Sequence, residues 1–338
     1  MEKDKKKKAI VMLSGGLDSS LALKMVTDQG IDVLALHFTS SFCRCDGANA
    51  CGSTARKVSG FVGTELKIVR VGQDYLDLIR NPKHGYGKNM NPCIDCRIHK
   101  FKYARKMMNE IGASFIVTGE VLGQRPMSQH KRAMMIIEKE SGLERLIVRP
   151  LSAKIMAPTI PEENGWIDRE KLLAFHGRNR TPQIKLAEDL GINDYPCPAG
   201  GCLLTDSAFS RRLKDLIEYG TLDINNAELL KVGRHLRITP DFKFVIGRNE
   251  KENDILTVLA QEDDIVFEPK EDVSGPTGLG RGKWDEKMMN IAANAMARYI
   301  KSDTDEIEIE VGKKSDPKKT VILAKKMEDN EIKKMMLV

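Results

Sequence analysis

Residues 9–38 read AIVMLSGGLDSSLALKMVTDQGIDVLALHF. Residues 10–13 form an unbroken apolar run, the pattern of a strand buried on both faces. A polar, glycine-rich turn follows. Leu21, Leu23, Met25 and Val26 then ride a helix that closes near Gly30, and residues 33–38 repeat the buried-strand pattern. This is a β-α-β unit. Residues 54–63 predict another helix, 66–71 a third strand, and 95–112 a helix with Phe101, Ala104, Met108 and Ile111 on one face. SFIVTGE, at 114–120, predicts a fourth strand running into a glycine turn. Strands alternating with helices predict an α/β fold with a doubly wound parallel sheet.

Beyond residue 150 the pattern becomes mixed. PLSAKIMAPTIPEENGWI is proline-rich and loop-like, while 182–190 and 207–219 have helical spacing. After about residue 225, HLRIT, FKFVIG, DILTVLA and DIVFEP are short strand-like runs. Residues 285–301 form an amphipathic helix, and EIEIEV alternates as a half-buried strand does. These runs predict a smaller α+β domain at 222–338 behind a first domain at 1–221.

With 338 residues, 41% of them hydrophobic, the chain can bury two ordinary cores. No apolar run approaches the ~20 residues of a membrane span. The lysine-rich start MEKDKKKKAI has no apolar signal region behind it, so a cytoplasmic setting without membrane contact is expected. The net charge of +6 permits a polyanionic partner without requiring one. Aromatic residues, at 5%, are too few for base-stacking platforms as the main binding mode. Seven cysteines are too few for a disulfide scaffold of this length, which points them to metal or catalytic roles.

Two stretches carry the chemistry. LSGGLDSS, at 13–20, joins the first strand to the first helix. Its glycines let backbone approach an anion, the helix start offers unpaired N–H groups, and Ser14, Ser19 and Ser20 add hydroxyls. The lysine of a Walker loop is missing. NPCIDCR, at 91–97, sets Cys93 and Cys96 three apart at the start of a helix, which stabilises anionic sulfur. Cys43, Cys45 and Cys51 in SFCRCDGANAC have metal-like spacing but also read as loop thiols without a fixed role, or as a sulfur relay. His99 and His130 read as structural or surface histidines that can also meet a substrate.

The S-G-G-x-D-S string resembles the pyrophosphate loop of the N-type ATP pyrophosphatases, which cleave ATP between its α and β phosphates and pass AMP to a substrate oxygen. The resemblance implies that Ser14, Gly15, Gly16, Asp18, Ser19 and Ser20 hold the phosphates of ATP·Mg²⁺. It implies further that Leu36, His37 and Phe38 lie near adenine and that Gly119 borders the nucleotide. NMNPCIDCRIHKFKYA, followed by IGASFIVTGE, is similar to the segment of tRNA thiouridylases that reads N-P-D-x-x-C-N-x-x-I-K-F before a strand ending T-G-H. Here Cys93 replaces the aspartate and Glu120 the histidine. The first change makes C-x-x-C, as in thiolases that carry an iron–sulfur cluster with a third cysteine about a hundred residues downstream. That implies a 4Fe–4S cluster on Cys93, Cys96 and Cys202, with Cys197 the alternative third ligand; the cysteine left over carries sulfur or forms a disulfide. A structural zinc on the same cysteines is the alternative. Residues 235–300 resemble the RNA-binding domain of NFACT-type proteins, which makes Lys243, Arg248, Lys251, Arg281 and Lys283 candidate phosphate contacts. Arg97, Lys100 and Lys102, and Arg178 or Arg180, are further candidates for RNA.

The resemblances together imply ATP-dependent thiolation of a tRNA uridine, with catalytic roles for Asp18, Cys93, Cys96 and Cys202. The expected partners are tRNA and a sulfur donor, either sulfide or a desulfurase; a homodimer is allowed. Two alternatives stand beside this: a pyrophosphatase that sulfurates or amidates a small molecule, and a zinc-stabilised RNA-binding protein.

Overall fold

The structure, a computed structural model, describes residues 7–43, 51–192, 202–270 and 273–338. Cys45 and Cys197 lie outside the described residues. The chain divides into two compact units, Met1–Leu203 and Leu204–Val338.

The first unit holds a five-stranded parallel sheet, β1 (Lys8–Met12), β2 (Asp32–Thr39), β3 (Glu65–Arg70), β4 (Phe115–Thr118) and β5 (Ile147–Val148), in the order β3-β2-β1-β4-β5. Its helices are α1 (Leu17–Thr27), α2 (Cys51–Val62), α3 (Gln73–Arg80), α4 (Cys93–Ile111), α5 (Lys131–Ser141), α6 (Ile160–Glu163) and α7 (Thr181–Asp189). Alternate residues of the central strands serve opposite layers. Ala9 and Val11 pack with Leu23, Val26 and Val58 of α1 and α2; Ile10 and Met12 pack with Ile98, Phe101 and Met107 of α4. Because strand order reverses on either side of β1, the crevice beyond the carboxyl ends of β1 and β4 is the place where folds of this kind take ligands.

The second unit comprises α8 (Ser207–Tyr219), α9 (Ile224–Leu229), α10 (Glu250–Leu259), α11 (Glu286–Ala297) and α12 (Asp329–Met335). Its strands are β6 (Arg234–Thr239), β7 (Phe242–Ile246), β8 (Ile265–Pro269), β9 (Gly278–Gly282), β10 (Glu306–Lys313) and β11 (Thr320–Lys325), an antiparallel sheet ordered β11-β10-β8-β9-β7-β6.

Three features differ from the sequence expectation. DILTVLA is the body of helix α10, not a strand: the Asn249 side chain caps the Glu252 amide, and Ile255, Leu256 and Leu259 turn one face to a small apolar cluster. GPTGLGRG supplies strand β9, whose glycines make room for rings; a Cβ on Gly278 would stand 2.5 Å from Phe244 and one on Gly280 2.6 Å from Phe242. The division expected at 221/222 falls inside the second unit, because α8 is tied there by charge. Buried Asp215 accepts hydrogen bonds from Arg237 Nε at 2.8 Å and Lys243 Nζ at 3.1 Å.

That ion pair also removes Lys243 from the candidate RNA contacts. Burial draws the Lys243 ammonium down to about 8, against the pull of Asp215. Arg281 is similarly committed, donating to Asp264, Asn225, Asn226 and the Leu259 carbonyl. Both are internal struts, while Arg248, Lys251 and Lys283 stay exposed. Burial raises the Asp215 carboxyl, but its hydrogen bond to Arg237 and the Lys243 charge outweigh that and hold it below its ordinary value. A carboxyl depressed in the folded state contributes stability above its unfolded pKa and loses it as pH falls through the folded one. Asp215→Asn is therefore expected to cost about 3 kcal/mol by leaving buried Lys243 and half-buried Arg237 uncompensated. It should also flatten the loss of stability below roughly pH 4. Urea unfolding of both proteins across that range checks it.

Candidate active site

The phosphate-loop candidate closes on itself before any ligand is considered. Gly15 takes a φ of 78°, which favours glycine. Ser19 Oγ donates to the Gly16 carbonyl at 2.9 Å and receives the Ser14 amide at 3.2 Å; Ser20 Oγ donates to Gly16 O at 3.1 Å. Helix α1 starts at Leu17, earlier than its apolar spacing suggested, so Asp18, Ser19 and Ser20 form its first turn. The free amides of that turn and the positive end of the helix dipole face the strand ends.

Gly119, just past β4, touches this turn. A Cβ there would lie 2.4 Å from the Asp18 carbonyl carbon, so only glycine lets β4 run against the loop. Asp18 is held by partners that no sequence pattern links to it. Its Oδ2 accepts from Gln124 Nε2 at 2.7 Å and from Arg180 at 3.2 Å, and Gln183, fully buried on α7, donates to Gln124 Oε1 at 3.0 Å. Arg180 thus belongs to the loop. Asp18 Oδ1 is buried without a hydrogen-bond partner among the described residues.

At the end of β2 the expected nucleotide contacts separate by strand alternation. Leu36 packs into the core on the α4 side, and Phe38 meets Tyr103 edge-on at 5.4 Å between centroids with Lys100 over its ring. Of the three, His37 behaves differently. Its Nδ1 donates to the Leu13 carbonyl at 2.8 Å, which leaves Nε2 as an acceptor, buried and without a partner among the described residues. Burial holds its pKa below the ordinary value, so the ring is neutral at physiological pH.

The cysteines stand beside the loop. Cys93 opens α4 directly after Pro92 and is half-buried; its Sγ donates to buried Ser128 Oγ at 3.8 Å and accepts from Asn91 Nδ2 at 3.6 Å. Cys96, one turn on, accepts from the hydroxyl of buried Tyr75 on α3 at 3.1 Å. Burial, the Cys96 sulfur and then Cys202 and Cys43 push the Tyr75 hydroxyl well above its ordinary pKa. Of these thiols only Cys96 touches the hydroxyl; Cys202 and Cys43 lie within its electrostatic reach. Cys202 arrives by a backbone bridge to Cys43. Cys51 heads α2.

An arginine group joins the two halves of the site. Arg125 lies within electrostatic reach of Arg97, Cys93, Arg180 and Asp18. Arg97 is steadied by Glu120, 2% exposed, at 3.4 Å, and the other oxygen of Glu120 takes Arg149 Nε at 3.1 Å. Glu120 thus holds two arginines, Arg97 and Arg149. The two histidines are structural: His130 Nδ1 caps the Ala133 amide of α5 at 3.2 Å, and His99 packs on Tyr75 at 5.5 Å.

A phosphate-binding turn, a thiol group and a shared set of arginines at the carboxyl ends of a parallel sheet suit nucleotide-dependent sulfur chemistry. Residues 5–155 match the family model described as thiamine biosynthesis protein (ThiI), and residues 233–336 the model of the NFACT protein RNA binding domain. The two matches follow one another along the chain without overlap. It is similar to a probable tRNA sulfurtransferase of Thermococcus kodakarensis, 29% identical over 43% of this chain and 36% of the relative. It also resembles a tRNA-specific 2-thiouridylase MnmA of Marinobacter nauticus, 30% identical over 68% of this chain and 58% of that one. The match thus spans less than two thirds of either relative. Among solved structures, the U34-tRNA thiolase NcsA from Methanococcus maripaludis with its [4Fe-4S] cluster is 22% identical, covering 63% of this chain and 67% of that chain at a TM-score of 0.34. No described helix is long and apolar enough to cross a membrane.

Proposed function

We propose that this protein is a tRNA sulfurtransferase that uses ATP to activate a uracil carbonyl oxygen and then replaces it with sulfur. The observation that carries the reading is the meeting of the PP loop with the C-x-x-C helix: Asp18 and Cys93 share Arg125 as a neighbour. The triphosphate of ATP·Mg²⁺ lies on the amides and hydroxyls of residues 14–20, and Asp18 Oδ1, without a partner among the described residues, faces the substrate's magnesium. His37 Nε2 accepts a hydrogen bond from the adenine side. Arg125, Arg97 and Arg180 bear on the charge that develops as pyrophosphate leaves.

The donor set for sulfur is Cys93, Cys96 and Cys202. Its chemistry fits an iron–sulfur cluster: soft sulfur ligands, two of them one helical turn apart, and a third within electrostatic reach of the hydroxyl that Cys96 touches. Among the described residues no three His, Cys, Asp or Glu side chains stand close enough to hold a metal ion as they lie, so the thiols would draw together around it. A bound 4Fe–4S cluster with three protein ligands supplies an open iron position for sulfur. Around it Ser128 and Asn91 orient Cys93, and Tyr75 holds Cys96.

The NFACT-type domain anchors the tRNA. With Lys243 and Arg281 excluded, exposed Lys251 and Lys283 are the phosphate contacts to test. Lys251→Ala and Lys283→Ala are each expected to lower the salt dependence of tRNA affinity by about one unit. Lys243→Ala should alter stability and leave that slope unchanged. Filter binding of tRNA over a salt series separates the two outcomes. Product analysis tests the enzymatic reading: AMP and pyrophosphate are expected, and release of ADP would refute it.

A further inference from the structure

Cys43 and Cys202 lie opposite each other in an antiparallel bridge. The hydrogen bond that frames the bridge runs from the Leu203 amide to the Phe42 carbonyl at 3.0 Å, while the Cys43 amide turns to Ser40 O at 3.1 Å. The two cysteines are therefore a non-hydrogen-bonded pair, the arrangement that brings opposed Cα atoms to about 4.5 Å with side chains on one face. Disulfides span Cα separations of roughly 4.4–6.8 Å, so the backbone already meets their requirement. Both thiols also lie within electrostatic reach of the Tyr75 hydroxyl, which Cys96 touches. Ser40 Oγ stands 3.5 Å from Cys43 Sγ.

We infer that Cys43 is the disulfide partner of Cys202, forming a reversible redox site beside the sulfur-transfer centre. A small-molecule disulfide supplies the oxidising equivalents. One protein thiolate attacks it and releases one small thiol. The second protein thiolate attacks the mixed disulfide and releases the other. Two protein thiols become one S–S bond, and the oxidant's S–S bond becomes two thiols. Once bonded to Cys43, Cys202 has no thiolate to give to iron. This last consequence rests on the proposed ligand set; the pairing itself does not.

The test uses full-length protein, stripped of iron and treated anaerobically with oxidised glutathione. Peptide mapping should find Cys43 joined to Cys202, and a reductant should reverse the link. Oxidised wild type should lose iron uptake. Cys43→Ser should form no such link. A dominant link from Cys202 to any other cysteine, or Cys43 still open to alkylation after oxidation, would overturn the pairing in the wild-type protein itself. Iron uptake by reduced Cys202→Ser probes the ligand set separately: normal uptake there would refute that assignment without bearing on the peptide map.

Discussion

Asp18→Ala is expected to lower formation of AMP and pyrophosphate by about two to three orders of magnitude, the range seen when one preorganised electrostatic group is removed from an active site. Asp18 has two tasks. Oδ2 gathers Gln124 and Arg180, and through Gln124 the buried Gln183, so the carboxylate ties helix α7 to the loop. Oδ1 has no hydrogen-bond partner among the described residues and is the oxygen assigned to the substrate's magnesium. Asp18→Asn separates these tasks, because its amide oxygen still accepts from Gln124 while the charge is gone. Both variants should lose turnover, but Asp18→Asn should retain more of the wild-type thermal stability. Equal turnover in Asp18→Asn and wild type would mean that the charge is not used.

The second large effect is at the C-x-x-C helix. Cys93→Ser and Cys96→Ser are each expected to lose iron and thiolation together, since a cluster with one open position needs all three thiolates. Serine is the better probe at Cys96. Alanine there would strand the buried Tyr75 hydroxyl at a cost of roughly 1–3 kcal/mol, and a folding defect would obscure the chemistry. AMP formation in the serine variants should persist, because the loop residues that bind ATP do not depend on sulfur. Metal analysis with a nucleotide assay on the same samples reads both. Retained iron in Cys93→Ser would remove that residue from the ligand set.

The parts of this site that were legible in the sequence are local. The Ser14–Ser20 string, the β-α-β pattern and the C-x-x-C pair each lie within one short segment whose spacing is itself the signal. What escaped notice is what folding brings from afar. Gln124, Arg180 and Gln183 converge on Asp18 from positions more than a hundred residues away, and no periodicity marks them. Cys43 read as a loop thiol because its neighbour Cys202 is visible only through a backbone bridge. Positive charge misled for a related reason: Lys243 and Arg281 carry the residue types of a phosphate contact, and only burial reveals that each answers an internal carboxylate. In the second unit β-branched residues suggested a strand at 254–260, but the Asn249 cap and a helical apolar face prevailed. The glycines of β9 hid a strand because their purpose is to clear space for rings across the sheet.

The central claim is that one site couples ATP cleavage to sulfur transfer on tRNA. Its most direct test is anaerobic incubation of the iron-loaded, full-length protein with ATP, magnesium, sulfide and an unmodified tRNA transcript, scoring AMP and thiouridine in the same sample. Thiouridine is expected only when ATP is present, with at least one AMP formed for each thiolated base. Thiouridine formed without ATP, or AMP formed in full with no thiolated base from any tRNA supplied, would contradict it.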